Sequence, residues 1–235
     1  MKDLFCGIKN IIDFELNVRD YYETKVVTRA TLLDIGGRNS KSKSRKRINA
    51  LKKDVVNVVV STDIFKDYGP DLIDDICHSK IKPNSFDGIY CDAVLEHVEE
   101  YLLAIENIYN ILVKGGEAFI YVPFIYPFHD RTDYHRFTFI ELARITSKFE
   151  IRKIFITGKD SGFGHILWYI GTFGAIKNFS FLHSKLAILS NNILKVLLFL
   201  IYYLKKKYKD NSFKEFSFFY TYLTYNHGFC AYVKK

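Results

Sequence analysis

Short apolar runs separated by polar, helix-spaced segments set the pattern of this chain. Thr31–Ile35 and Val55–Val60 are apolar runs that read as strands, the second with almost no polar break. Such runs suit strands of a parallel sheet covered by helices on both faces. Pro70–Ile76 holds a short third strand, Ser85–Cys91 a fourth, Glu117–Val122 a fifth and Ile151–Ile156 a further one. Between them, apolar residues recur at helical spacing over residues 4–23, 99–113 and 138–149, and Ser40–Lys53 is a polar helix. Gly115-Gly116 stops the helix over 99–113. The alternation predicts a doubly wound α/β sheet. No internal repeat or low-complexity linker interrupts it.

After Gly158 the pattern changes. Glycines alternate with aromatics up to Gly174, and Leu186–Leu204 is then strongly apolar and ends in Lys205-Lys206-Lys207. This run is short for a membrane span and contains Asn191, Asn192 and Lys195. It is expected to be a helix buried against the sheet or a partner copy. An interfacial helix over 186–209, beside an anionic leaflet, is the alternative. Gly228–Val233 closes the chain as a strand. The organisation expected is one domain over 1–235, with a core over about 30–156, a helical elaboration over 158–227 and a last strand over 228–234.

With 235 residues, 49% hydrophobic, 17% aromatic and 26% charged, the chain has ample material for a core and is not of disordered composition. The net charge of +8 suits an anionic partner or is background composition. The largest basic cluster spans Lys41 to Lys53 and reads as a solvated helix face rather than a phosphate grip. It has no interleaved aromatics, so nucleic acid is not favoured. Four cysteines without a C-x-x-C pair argue against zinc and disulfides, and no metal is expected. The N-terminus lacks an uninterrupted apolar segment, so no signal peptide is read there and the expected location is cytoplasmic.

Chemistry enters at Leu32-Leu33-Asp34-Ile35-Gly36-Gly37. An apolar run ends in an acid and two glycines, and further acids, Asp63 and Asp75, follow the next runs. This arrangement holds a nucleotide-type ligand at the carboxyl edge of a parallel sheet. The glycines admit close backbone approach, and the second acid accepts hydrogen bonds from ribose hydroxyls.

Further along stand Ser85-Phe86-Asp87, Val94-Leu95-Glu96-His97-Val98 and Leu112-Val113-Lys114-Gly115-Gly116. In this order the motifs resemble class I S-adenosylmethionine (SAM)-dependent methyltransferases, in the branch with the ubiquinone and menaquinone enzymes, over residues 30 to 156. The resemblance implies a Rossmann-like, seven-stranded, mostly parallel sheet with an antiparallel last strand. It implies S-adenosyl-L-methionine as cofactor. Asp34, Gly36 and Gly37 match the first cofactor motif, Asp63 the ribose acid, and Asp75 with Ile76 the adenine pair. Cys91 lies where the family backbone meets the methionine moiety. Arg38 and Ser40 replace the family's second and third loop glycines, so Arg38 is expected at an ordinary φ with its side chain turned outward.

The stretch Pro123–Thr138 resembles a segment of methyltransferase-like proteins of glycan assembly. That likeness implies a small-molecule or glycan acceptor and O-methylation of a sugar. The candidate catalytic residues are His129, Tyr134 and His97, with His129 the first choice of base, facing the acceptor from the loop after the fifth strand. Asp133, His135 and Arg136 are candidate acceptor contacts, Arg136 through its bidentate fork. The alternatives are a quinone-like acceptor at a membrane surface and a non-catalytic module that retains the fold.

Overall fold

A computed structural model describes residues 10–39, 41–158, 162, 180–205 and 212–235. The elements in chain order are α1 (Arg19–Val27), β1 (Thr31–Ile35), α2 (Lys43–Lys52), β2 (Val58–Asp63), β3 (Leu72–Ile73), β4 (Phe86–Asp92), α3 (Tyr101–Ile111), β5 (Leu112–Pro123), α4 (Phe139–Ile145), β6 (Ile151–Ile156), α5 (Ser180–Lys205), α6 (Ser212–Phe218) and β7 (Gly228–Lys234). They build a seven-stranded sheet of order β3-β2-β1-β4-β5-β7-β6. β1 pairs in parallel with β2 and β4, and β4 with β5. β7 runs antiparallel between β5 and β6. The sheet is the Rossmann-like one expected.

Strand alternation divides the core into two layers. On one face Leu33, Ile35, Ile89, Ile120 and Val122 pack under α3 and α4. On the other, Leu32, Tyr90, Phe119, Tyr121 and Phe155 pack with Tyr22, Val26 and Val27 of α1 and Ile48 of α2. This second layer is aromatic: Tyr22 stacks on Phe155 at 4.8 Å and on Tyr232 at 4.9 Å between ring centroids. α3 turns Ala104, Ile105, Ile108 and Ile111 inward, a stripe of helical spacing, and leaves Leu102 and Leu103 exposed.

Several sequence boundaries shift. The helix expected over 4–23 is α1, which starts only at Arg19; residues 4–9 lie outside the described residues. Residues 11–13 instead run beside β6, with Asp13 N–H donating to the Ile154 carbonyl (2.8 Å) and Ile154 N–H to the Ile11 carbonyl (2.7 Å). That covers the outer edge of β6, which would otherwise present unpaired backbone groups. β2 begins three residues late, because Val55 and Val56 are exposed beyond α2. The helix over 99–113 stops at Ile111, and Gly115-Gly116 lies inside β5, where the register against β4 slips from Phe86↔Leu112 to Gly88↔Glu117. Ser40 and most of the glycine–aromatic stretch after Gly158 lie outside the described residues.

Of the settings expected for α5, the structure overturns one. It is not buried against the sheet. Asn191 (1% exposed) and Leu198 (7%) face the body, and Lys195 sits over the Tyr222 ring at 5.3 Å. Leu189, Ile193, Val196, Leu197, Leu200 and Leu204 stand 49–79% exposed. Among the described residues no helix is long and apolar enough to cross a membrane.

Candidate active site

The carboxyl ends of β1, β2 and β4 open into a cavity of about 630 Å³, within the usual range for a small-molecule site. Its floor is the turn after β1. Gly36 has φ 68, and a Cβ there would fall 2.6 Å from Val94 Cγ2. A Cβ on Gly37 would fall 2.4 Å from the Asp34 carboxyl. Glycine is thus required at both positions, at Gly36 by backbone conformation and close approach and at Gly37 by close approach alone.

Asp34 is fully buried behind this turn and does not line the cavity. Its carboxylate accepts from Ser44 Oγ (3.0 Å) in the first turn of α2, and its carbonyl accepts from Gly37 N–H (3.1 Å). Burial pushes its carboxyl up to about 7 against the opposing pull of Ser44 and Arg45, and Oδ1 has no partner. Asp34 holds the turn; Gly36 meets the ligand space.

Asp63 ends β2 and lines the cavity. Its Oδ1 accepts from Phe65 N–H (2.9 Å), and Arg38 Nε lies 4.0 Å from Oδ2. Arg38 is not in the left-handed region, and its guanidinium lies 3.8 Å over the Tyr68 ring at the cavity wall. Half exposed, it has room to move along that wall. Asp75 caps the short turn Ile76–His78, accepting from Cys77 N–H (2.9 Å) and contacting His78 Nδ1 (3.1 Å). Asp75, Ile76 and Cys77 all line the cavity. Cys91 does not: it is buried in the core between Ile35 and Ile120, and burial raises its thiol well above the ordinary value. The wall starts one residue later, at Asp92.

Asp92 was not singled out by the sequence. It takes Arg19 Nη2 (2.9 Å) and the Tyr90 hydroxyl (3.0 Å), and Arg19 also reaches Glu23. Burial raises the Asp92 carboxyl above its ordinary value. This network joins α1 to β4 across 73 residues of sequence, which no local motif reports. Ala93, at φ 58, is a second missed residue, a left-handed position without glycine at the cavity edge.

The loop after β5 supplies the opposite wall. Tyr134 and His135 N–H groups donate to the Glu96 carbonyl (2.8 and 3.2 Å), and Phe137 N–H to the Pro123 carbonyl (2.9 Å). Arg136 donates to the Tyr126 and Pro127 carbonyls (3.1 and 2.9 Å) and pairs with Asp133. That pairing drops the buried Asp133 carboxyl to about 2. Arg136 and Asp133 therefore brace the loop instead of presenting themselves to an acceptor. His135 likewise contacts the Glu99 carbonyl (3.2 Å) and packs on Tyr101 (4.8 Å). His97 and Tyr134 line the cavity; His129, expected to face the acceptor, does not, and its ring stands behind them edge-on to His97 at 4.9 Å. Glu96, on the turn Leu95–His97, is buried beside them with Oε2 unpartnered, its carboxyl pushed up to about 8 by desolvation. Glu96, His97 and His129 bring a carboxylate oxygen and two imidazole nitrogens within 4.8 Å of one another. The sequence separated them and gave no such grouping.

A family model described as a methyltransferase domain matches residues 33–120. No curated protein matches the chain. Among solved structures, the chain is similar to a SAM-dependent methyltransferase from Archaeoglobus fulgidus, at 13% identity and TM-score 0.55, covering 93% of this chain and 91% of that one. It is also similar to phosphoethanolamine N-methyltransferase 2 from Haemonchus contortus, at 14% identity and TM-score 0.50, covering 91% of this chain and 52% of that one. At these identities the likeness is one of fold. The match covers β1 to β5 and the cavity floor that they build, so the part of the chain that forms the site is similar to a methyltransferase domain.

Proposed function

We propose that the protein uses SAM to methylate a hydroxyl of a sugar or glycan precursor. The observation that carries this reading is a single cavity with the Gly36 turn and Asp63 on one side and His97 and Tyr134 on the other. The residues fit a cationic nucleoside cofactor. The bare Gly36 backbone leaves room for its amino-acid part, and Asp63 keeps acceptor capacity for ribose hydroxyls. Asp75, Ile76 and Cys77 flank the adenine position, while the acids Asp63 and Asp92 suit a positive ligand. When bound, SAM supplies a methyl group already activated on its sulfonium.

The protein's share is alignment, exclusion of water and removal of one proton. Gly36 and Asp63 fix the cofactor. Tyr134 and the loop held by Arg136 close the far side. His129 holds its Nδ1 near the Pro127 carbonyl (3.2 Å) and Asp133 (3.0 Å), which keeps the proton on Nδ1 and leaves Nε2 as a proton acceptor beside the cavity-lining His97. The acceptor side is lined by Glu99, Glu100 and Asp130, so a neutral hydroxyl suits it better than a phosphate. The glycan assignment itself rests on the likeness of Pro123–Thr138.

Calorimetric titration with SAM tests the reading: saturable binding, lost in Asp63→Ala, is expected. No heat in either protein would remove the enzymatic assignment. His129→Ala should lower turnover by about 10²–10⁴-fold while sparing SAM affinity.

A second, compatible reading concerns location. α5 buries Asn191 and turns leucines and isoleucines outward, the reverse of a water-facing helix. Residues 161–209 contain seven lysines and neither Asp nor Glu, so most of the net charge of +8 resides in this segment. An apolar face on a segment whose sequence is rich in lysine fits the surface of an anionic bilayer, at the cytoplasmic side, and would bring a lipid-linked glycan or quinone-like acceptor to the site. Flotation with phosphatidylserine vesicles, reduced by salt and absent with neutral vesicles, is expected. A protein that stays with the soluble fraction at low salt overturns it.

A further inference from the structure

The cluster of Glu96, His97 and His129 has an electrostatic problem that its neighbours do not solve. His97 Nδ1 lies 3.2 Å from the Thr132 carbonyl. His129 Nδ1 lies 3.2 Å from the Pro127 carbonyl and 3.0 Å from an Asp133 oxygen. A carbonyl oxygen only accepts, so each Nδ1 carries the proton and each Nε2 keeps its lone pair. The third member is Glu96, 1% exposed, with Oε2 unpartnered and Oε1 4.0 Å from His97 Nε2. The Glu96 Oε2 therefore finds no hydrogen-bond partner beside two imidazoles whose Nδ1 atoms are already engaged. A cation bound there would displace the Glu96 proton and give the buried carboxylate the partner it lacks.

We propose that Glu96, His97 and His129 form a binding site for a first-row divalent metal ion of the zinc or cobalt kind. Two imidazoles and one carboxylate are the ligand set of such ions, and leave further positions open. Magnesium and calcium, which favour all-oxygen ligands, fit less well. The surroundings are those of a metal site as well. Each imidazole is oriented through Nδ1, His129 by a carboxylate that is itself clamped by Arg136, and such outer partners fix ring and tautomer for the metal. The three ligand atoms lie within 4.8 Å of one another. Ligands bound at about 2.1 Å in a tetrahedral array stand roughly 3.4 Å apart. Rotation of the two partly exposed imidazoles toward the fixed Glu96 closes that gap.

His97 lines the cavity, so the ion would sit at its acceptor end. Its chemical use rests on the methyl-transfer reading: an acceptor oxygen bound to the ion loses its proton more readily, and His129 then acts as ligand instead of base. The site itself does not depend on that reading.

The full-length protein, stripped with chelator, is titrated with Co²⁺ and followed by visible absorption, then with Zn²⁺ in competition. One equivalent of Co²⁺ is expected to give a saturable band that Zn²⁺ displaces. Glu96→Gln, which keeps shape and fold, and His97→Ala should each weaken binding by at least tenfold. Asp133→Asn, one step out, should weaken it by about 10–100-fold. SAM affinity, measured by calorimetry on the same samples, should survive in every variant. Absence of a saturable band, or equal Co²⁺ affinity in the wild type, Glu96→Gln and His97→Ala, overturns the site. Metal binding without SAM binding would instead overturn the cofactor assignment and leave the metal site standing.

Discussion

At the scale of single residues, the cavity floor depends on what is missing from two side chains and on one buried acid. Gly37→Ala places a methyl 2.4 Å from the Asp34 carboxyl. The carboxyl must move and release Ser44, at a cost of about 1–3 kcal/mol. Urea unfolding should show that loss, together with weakened SAM binding. Asp34 also sets a pH dependence. Its carboxyl is at about 7 in the folded chain, against an ordinary value near 4. Between those values the unfolded chain gives up a proton that the folded chain keeps. Stability therefore falls as pH rises from about 4 through about 7. The drop in urea midpoint between pH 5 and pH 8 should be smaller in Asp34→Asn than in the wild type. The residue scale was only partly legible in sequence. Asp34, Gly36, Gly37 and Asp63 stood out because an acid and glycines after an apolar run have few other uses. Asp92 and Ala93 did not, since their setting comes from Arg19 on α1 and from a left-handed backbone turn.

At the scale of elements, the loop after β5 is held by its own arginine. Arg136 joins Asp133 and three carbonyls, and Asp133 is fully covered. Arg136→Ala leaves the covered Asp133 carboxylate with His129 as its remaining partner and should cost about 1–3 kcal/mol. Faster amide exchange over residues 123–138, with β4 unchanged, would check it. Arg136→Lys should recover only part of the loss, because an ammonium lacks the planar fork. α5 carries the opposite expectation. Leu197→Asp with Leu200→Asp changes two exposed positions, so the thermal midpoint should hold while vesicle binding disappears. Existence and order of the strands were readable from apolar runs. The ends of β2 and α3, and the pairing of residues 11–13 beside β6, were not, because partners distant in sequence fix them.

For the whole molecule, the sheet is strongest at its centre and thin at one edge. β4, β5 and β7 are paired on both sides, while β3 has two residues, both exposed. Amide exchange should be slowest along β4, β5 and β7 and fast at Leu72–Ile73, so the β3 side of the cavity opens most easily. Slow exchange at β3 would contradict this. The linear order of residues was enough to determine the alternation of strands and helices, the closing strand at Gly228 and the acid-and-glycine turn after β1. These are local patterns, written by periodicity and by the conformational demands of tight turns. Only the tertiary structure decided that Arg136 and Asp133 brace a loop, that α5 turns its apolar side chains outward, and that Glu96, His97 and His129 share one corner. Such outcomes depend on which groups meet across the fold, and hydrogen-bond and charge partners in three dimensions leave no periodic trace along the chain.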